Sequence, residues 1–187
     1  MPDNASADTA FDADVLIVGA GPTGLALALA LSARGVRALV VDRLAEGANT
    51  SRAAVVHART LEVLEPLGVA ATLVAKGLKA PRFTVRDRDR VLVPIGFDAL
   101  PTRYPYALMI SQAETEQVLL ARFTAMGGKV MRPRQLVALA QEAACISATL
   151  DDGSRLRVRY AVGADGMHST VREQAGIAFT GGSYGVS

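Results

Sequence analysis

The sequence predicts an α/β fold built on a parallel β-sheet, and three consecutive features of the chain support that prediction. An apolar run from Val15 to Val18 is followed at once by the glycine pattern Gly19-x-Gly21-x-x-Gly24. A helical run rich in alanine and leucine comes next, and a second apolar run from Val36 to Val41 then ends in Asp42. A strand, a glycine turn, a helix, a strand and an acid in this order are typical of a βαβ unit that binds a dinucleotide.

The glycine turn has a separate physical task at each glycine. Gly19 permits the tight turn off the first strand, Gly21 leaves room for a pyrophosphate against the backbone, and Gly24 lets the helix lie close to the strands. Pro22 stands in the first helical turn, where the N–H group that it lacks would have had no partner. The free N–H groups there and the positive end of the helix dipole predict a phosphate site.

Asp42 ends the second predicted strand, where a carboxylate is placed to accept hydrogen bonds from ribose hydroxyls. The same carboxylate repels a 2′-phosphate. This first nucleotide site is therefore predicted to favour FAD or NAD over NADP.

Composition and charge argue against several classes of protein. The 187 residues suffice for one domain with a buried core. The 20 basic and 18 acidic residues are scattered along the chain and give a net charge of +2, which does not predict a nucleic-acid surface. Cys145 is the only cysteine, so neither a disulfide framework nor a thiolate metal cluster is predicted. Next to Ile146 on a predicted strand, it is expected to be a core residue.

Neither a membrane span nor an export signal is predicted. Glycines and a proline interrupt the apolar stretch from Val15 to Ala33, whereas a spanning helix needs about 20 predominantly apolar residues. Residues 1–10 are small and acidic, without the basic and apolar regions of a signal peptide. They predict a disordered leader and a cytoplasmic protein.

The middle of the chain predicts two helices, a hairpin and a strand. Residues 59–65 predict a helix that ends at Pro66-Leu67-Gly68, and residues 69–76 predict a further short helix. The apolar runs 82–85 and 91–95 flank a charged tip, which is typical of a β-hairpin. Another strand is predicted at residues 106–110.

A capped helix and a β-meander are predicted in the second half. Ser111 and Glu114 form a capping box, in which Ser111 binds the N–H of Glu114 and the Glu114 side chain reaches back. The helix is expected to run to about Met126 and to end at Gly127-Gly128. Four further strands are predicted at 129–131, 135–140, 146–150 and 156–162, the last two joined by the turn at 151–154.

Gly163-Ala164-Asp165-Gly166 follows the last of these strands, and a short helix is predicted to open near Ser169. A carboxylate and a helix N-terminus at the end of a strand form a place where ligands bind in α/β sheets. Taken alone, Asp165-Gly166 is more often a plain turn.

Three stretches together make the chain resemble the FAD-dependent aromatic hydroxylases, the single-component flavoprotein monooxygenases built like p-hydroxybenzoate hydroxylase. The first is the glycine turn with Asp42, and the second runs from Ser51-Arg52-Ala53 through Thr60-Leu61-Glu62 to Leu67-Gly68. The third runs from Gly163-Ala164-Asp165-Gly166 to Ser169-Thr170-Val171-Arg172 and is fairly specific to this group.

The resemblance implies a cofactor site. It implies that the glycine turn holds the FAD pyrophosphate and that Asp42 meets the adenosine ribose, although the family usually has glutamate there. Arg52 matches an arginine near the FAD phosphates and ribityl chain, Gln112 matches a glutamine that touches the cofactor, and the Asp165-Gly166 pair matches a motif associated with both FAD and NAD(P)H. The whole implied set is Gly19, Gly21, Pro22, Thr23, Gly24, Asp42, Arg43, Arg52, Gln112, Asp165 and Gly166.

The resemblance also implies a reaction. NADH or NADPH reduces FAD, O₂ forms a flavin C4a-hydroperoxide, and one oxygen passes to a phenolic or polyketide-like aromatic substrate, while the protein orients the reactants and excludes water. The flavin performs this chemistry, so no catalytic triad or metal is expected. The two histidines, His57 and His168, lie near no Ser or Cys nucleophile pattern. The resemblance is also compatible with a homodimer of the complete enzyme.

The implied architecture is a Rossmann-like FAD-binding fold with a parallel sheet, a β-meander and the start of a substrate-domain sheet. Residues 11–80 and 111–178 are assigned to an incomplete FAD-binding domain, and residues 81–110 and 179–187 to the start of a substrate-binding domain. The family's later Gly-Asp motif would lie beyond Ser187, so the chain is expected to be an N-terminal fragment. Three alternatives stay open: a nicotinamide dehydrogenase, another FAD-dependent oxidase or reductase, and a non-catalytic nucleotide-binding module.

Overall fold

A computed structural model describes residues 11–47 and 55–181 of the chain. The predicted leader and Arg52 lie outside these ranges. In chain order the elements are β1 (Ala13–Val18), α1 (Pro22–Ser32), β2 (Ala38–Val41), β3 (Val55–Val56), α2 (Ala58–Leu64), a 3₁₀ turn (Glu65–Leu67), α3 (Ala70–Lys76), β4 (Leu78–Ala80), β5 (Arg82–Asp87), β6 (Arg90–Gly96), β7 (Ala107–Met109), α4 (Gln112–Ala125), β8 (Val130–Met131), β9 (Leu136–Gln141), β10 (Ile146–Leu150), β11 (Arg155–Gly163) and α5 (Thr170–Gln174).

The central sheet has six strands in the order β8-β2-β1-β11-β10-β9. The first four strands of this order are parallel, and β11, β10 and β9 form an antiparallel meander. The predicted α/β fold with a parallel sheet and a β-meander is therefore confirmed. Because parallel strands end at the same edge, the segments after β1, β2, β8 and β11 lie close together.

Both faces of β1 are buried, which explains its uninterrupted apolar sequence. Val15 and Ile17 pack into the core beneath α1 and α4, whose Leu29 and Phe123 are fully buried. Leu16 and Val18 face the opposite side and pack in a second core with residues of the meander. The alternation of β1 thus holds two layers of the fold together.

The helix α4 begins as predicted, although its capping box is only half formed. Oγ of Ser111 accepts a hydrogen bond from the N–H of Glu114 at 3.1 Å. The sequence predicted that the Glu114 carboxylate would reach back to the start of the helix, and this prediction is wrong. The carboxylate instead lies 3.4 Å from Nζ of Lys76 at the end of α3. The sequence around Glu114 does not show that Lys76, on a neighbouring helix, competes with the helix N-terminus for its carboxylate.

A second sheet, β3-β7-β4, was not predicted as a sheet. Only its middle strand β7 was expected, because β3 and β4 have two and three residues and show no alternation of apolar side chains. A tight approach at Gly77 supports the pairing, since a Cβ there would lie 2.8 Å from the side chain of Leu108 on β7.

The predicted hairpin is formed by β5 and β6, which make a two-stranded sheet of their own. Val85, Leu92 and Val93 on it are each about half exposed, at 49%, 50% and 49%. The division of the chain into an FAD-binding and a substrate-binding part stays a prediction. Among the described residues, no helix is long and apolar enough to cross a membrane.

Cys145 is buried, as predicted, but it lies just before β10 and not on a strand. Its Sγ lies 3.2 Å from Oε2 of Glu142 and 3.5 Å from Nη2 of Arg157.

Candidate functional site

The glycine turn between β1 and α1 is packed tightly at two of its three glycines. Gly19 has a φ of +104°, and a Cβ there would lie 2.3 Å from the carbonyl oxygen of Ala164. A Cβ on Gly24 would lie 1.9 Å from the carbonyl oxygen of Gly19, so any side chain there would push α1 away from β1. A Cβ on Gly21, by contrast, would meet no described atom nearer than Oε1 of Glu116, at 4.0 Å.

The N-terminus of α1 lies beside this open space without a side-chain cap. Within the described part of the chain, no side chain binds its first N–H groups, and its first turn holds no acid. Those groups have no partner inside the helix and are free for a ligand. The helices α4 and α5 differ from α1 because each has a serine cap. Oγ of Ser111 accepts from the N–H of Glu114 at 3.1 Å, and Oγ of Ser169 accepts from the N–H of Arg172 at 3.0 Å.

Asp42 follows β2, and its carboxylate holds the glycine turn. Oδ2 accepts a hydrogen bond from the N–H of Ala20 at 2.6 Å, and Oδ1 accepts one from the N–H of Leu44 at 2.8 Å. Nη2 of Arg132 lies 3.8 Å from the same Oδ2. Each carboxylate oxygen has a second lone-pair position, which leaves room for the predicted ribose contact.

The loop after β11 lies against the glycine turn. The N–H of Ala164 donates to the carbonyl of Val18, the last residue of β1, at 2.7 Å. Gly166, with a φ of +81°, is exposed along this edge.

The Asp165 side chain fixes this loop by capping α5. Its carboxylate accepts hydrogen bonds from the hydroxyl of Ser169 at 2.6 Å and from the N–H of Thr170 at 2.7 Å. Arg172 supports the same loop through a hydrogen bond from Nη2 to the carbonyl of Met167 at 2.9 Å. The family match at Asp165 thus has a structural task in this chain besides any contact with a ligand.

A cleft of about 230 Å³ lies over the carboxyl ends of the parallel strands. Pro22 and Thr23 line an adjoining apolar groove, which shares Gln112 with the cleft. Gly24 lies at the packed side of the turn. The predicted residues that line the cleft itself are Gly19, Gly21, Asp42, Arg43, Gln112, Asp165 and Gly166.

Two stretches far apart in sequence therefore form one site: the βαβ unit and the loop after β11. A family model described as an FAD binding domain matches residues 12–186. The chain belongs to this family. FAD is the cofactor of these domains, as the resemblance implied, whereas the glycine turn with Asp42 had left FAD and NAD open.

Relatives of the chain are named as monooxygenases. The chain is 42% identical over 172 residues to a 6-methylpretetramide 4-monooxygenase from Streptomyces rimosus, a match that covers 89% of this chain and 31% of that enzyme. It is 39% identical over 191 residues to a pentachlorophenol 4-monooxygenase from Sphingobium chlorophenolicum, covering 98% and 35%.

A solved structure shows the same fold. The OxyS anhydrotetracycline hydroxylase from Streptomyces rimosus superposes with a TM-score of 0.83 at 38% identity, over 91% of this chain and 35% of that one. The chain thus spans about a third of the length of the relatives that it matches.

The cleft of this FAD-binding domain fits the adenosine diphosphate half of FAD. The open space over Gly21 and the uncapped start of α1 suit a pyrophosphate, which needs close approach and N–H donors. Asp42 at the end of β2 suits a ribose. The apolar groove beside Thr23 continues the site past Gln112.

Three charged residues of the site were not identified from the sequence. Glu116 is 6% exposed and accepts a hydrogen bond from Nε2 of Gln112 at 2.8 Å. Arg132 and Arg134 also line the cleft. The four-residue spacing from Gln112 could have revealed Glu116, whereas the arginines depend on the pairing of β8 with β2.

Arg134 forms a salt bridge with an acid outside the cleft, Asp152. Its Nε lies 2.8 Å from Oδ2 of Asp152 in the turn between β10 and β11. Hydrogen bonds from Ser154, with a smaller contribution from Arg134, hold the pKa of Asp152 below its ordinary value. This pair ties the β8–β9 connection to the meander.

Both histidines lie on the surface of the described part of the chain. His57 precedes α2 and is exposed, and His168 is exposed at the rim of the cleft. Within 11–47 and 55–181, no three potential ligands are grouped to hold a metal ion.

Proposed function

We propose that the protein acts as an FAD-dependent monooxygenase that hydroxylates a phenolic or polyketide-like aromatic compound with NAD(P)H and O₂. The observation that carries this proposal is the single cleft in which the glycine turn, Asp42, Gln112 and the loop at Asp165 meet. The identity of about 40% to monooxygenases of such compounds supports the reaction class. The activity is proposed for the whole protein, because the chain spans about a third of these relatives.

We assign each residue of the site a role in binding FAD. Gly21 and the first N–H groups of α1 bind the pyrophosphate, and Asp42 accepts a ribose hydroxyl. Arg43 lines the cleft and adds positive charge for the phosphates. Arg52 is assigned the same task only through its match to the family arginine. Gln112 contacts the cofactor where the cleft meets the apolar groove. Asp165 holds Gly166 and its neighbours at the cofactor edge.

The cofactor supplies the redox chemistry when it is bound, carrying electrons from the reduced nicotinamide to O₂. This chain contributes binding and orientation. Its glycine turn is packed against the loop after β11, and Ala20 between Gly19 and Gly21 is fully buried. A reduced nicotinamide as co-substrate suits a cytoplasmic enzyme, and the proposal leaves a homodimer open.

The test is turnover by the purified whole protein. We expect bound FAD, oxidation of NADH or NADPH stimulated by an aromatic substrate, and a product that gains one oxygen atom from isotopically labelled O₂. Bound FAD with hydrogen peroxide as the only oxygen product, across a panel of phenols and polycyclic polyketides, would support an oxidase instead. Protein without flavin would contradict the proposal.

A further inference from the structure

We propose that Arg132 is a positioning residue for the adenosine end of the FAD site and acts through Ala20 and Asp42. The proposal rests on the assignment of this cleft to FAD. Arg132 directly follows β8, whose residues Val130 and Met131 pair with Val40 and Val41 of β2. Arg132 therefore follows β8 at the same level at which Asp42 follows β2, and the two residues lie side by side.

The backbone fixes this juxtaposition. The N–H of Asp42 donates to the carbonyl of Met131 at 3.0 Å, and the N–H of Arg134 donates to the carbonyl of Asp42 at 2.8 Å. Arg132 lies between these two bonds. The side chains of Arg132 and Asp42 are 14% and 13% exposed.

The two side chains hold both peptide groups of Ala20. Oδ2 of Asp42 accepts from the Ala20 N–H at 2.6 Å, and Nη2 of Arg132 donates to the Ala20 carbonyl at 3.3 Å. The ion pair of 3.8 Å between them closes the arrangement. Because Ala20 lies between Gly19 and Gly21, this clamp sets the orientation of a turn that its glycines would otherwise leave free.

A second observation points toward a ligand. Nε of Arg132 is buried and has no hydrogen-bond partner among the described residues. A buried charged donor without a partner is costly, and such groups in native proteins are usually satisfied by a ligand, an ion or water. Because the residue lines the cleft, this uncompensated donor lies next to the nucleotide site that the proposal assigns there, and Arg132 acts on the nucleotide through Ala20 and Asp42.

Charge supports the same assignment. Asp42 and Glu116 bring carboxylates to a cleft that must accept a pyrophosphate, and like charges there oppose binding. Arg132 offsets the charge of Asp42 from within the protein. Arg134 is a weaker candidate, because it is 38% exposed and pairs with Asp152.

The test compares arginine variants of the whole protein after its flavin has been removed. FAD and ADP are titrated into the wild type, Arg132→Met, Arg132→Lys, Arg134→Met and Arg34→Met. Arg34 is an exposed arginine near the end of α1 and serves as the matched control for the loss of one charge. We expect Arg132→Met to raise the Kd for both ligands about tenfold or more, Arg132→Lys to recover part of the loss, and Arg34→Met to bind as the wild type.

A double-mutant cycle separates positioning from general stability. Asp42→Asn and Arg132→Met are combined, and we expect the double variant to lose less ADP affinity than the two single losses combined. Additive losses, a Kd for Arg132→Met within twofold of the wild type, or an equal loss in Arg134→Met would overturn the inference. If Arg132→Met does not fold, Arg132→Lys decides: wild-type ADP affinity in that variant overturns the proposal. Wild-type protein that binds neither ligand would overturn the proposed function itself.

Discussion

Asp42 has two tasks, holding the glycine turn and accepting a ribose hydroxyl, and removing its carboxylate affects both. Its carboxylate accepts a hydrogen bond from the N–H of Ala20 at 2.6 Å, and in the proposed function it also accepts one from a ribose hydroxyl. We expect Asp42→Ala to weaken FAD binding by about 1.5–3 kcal/mol, the range for hydrogen bonds to a charged group. Titration of flavin-free protein measures this loss. Equal FAD affinity in the wild type and the variant would contradict the assignment of Asp42 to the ribose.

Gly24 and Gly21 differ in what a methyl group would meet. Gly24→Ala places a Cβ 1.9 Å from the carbonyl oxygen of Gly19, whereas Gly21→Ala places one in open space. We expect Gly24→Ala to lower the free energy of unfolding by about 1–3 kcal/mol, the usual cost of forced overpacking. Gly21→Ala should stay within about 0.5 kcal/mol of the wild type. Urea denaturation of the two variants makes the comparison, and equal stabilities would contradict the packing described for the turn.

The cap of α4 is an element-scale feature, because this helix carries Gln112 and Glu116 into the cleft. Ser111→Ala removes the hydrogen bond to the N–H of Glu114 and should lower the free energy of unfolding by about 1 kcal/mol. Ser32→Ala, at the far end of α1 with no cap to lose, is the control and should change stability by less than about 0.5 kcal/mol. If the two alanine variants unfold alike, the cap contributes nothing.

The longer elements were predicted from the sequence, whereas two of the short strands, β3 and β4, were not. The strands β1, β10 and β11 and the helix α4 contain enough residues to show a period, so their positions were predicted to within about two residues. The two-residue strand β3 and the three-residue strand β4 show none. They form only because β7 lies between them.

The same limit applies to the site. The glycine turn and Asp42 form a local pattern, which could be identified in one stretch of sequence. Arg132 belongs to the site only because β8 pairs with β2, a contact between segments about 90 residues apart along the chain. No local pattern in the sequence predicts that pairing.

At the scale of the whole molecule, apolar surface remains outside the two cores. Leu78, Leu92 and Phe179 are 77%, 50% and 70% exposed, and exposed apolar patches favour association. We expect the 187-residue chain by itself to bind FAD weakly and to self-associate. Light scattering across a dilution series tests the association, with Leu92→Lys as a variant that should reduce it. A monodisperse monomer that holds FAD tightly would contradict this expectation.

In the proposed function, the open space over Gly21 receives the FAD pyrophosphate. Gly21 has φ and ψ of −73° and −177°, which any residue adopts, and its Cβ position is clear by 4.0 Å, so Gly21→Val should fold normally. The decisive measurement is a titration of flavin-free whole protein with FAD, followed by flavin fluorescence, for the wild type and Gly21→Val side by side. We predict saturable binding in the wild type and none in the variant at equal thermal stability, because the valine side chain occupies the approach of the phosphates. A folded Gly21→Val variant with unchanged FAD affinity would contradict the account.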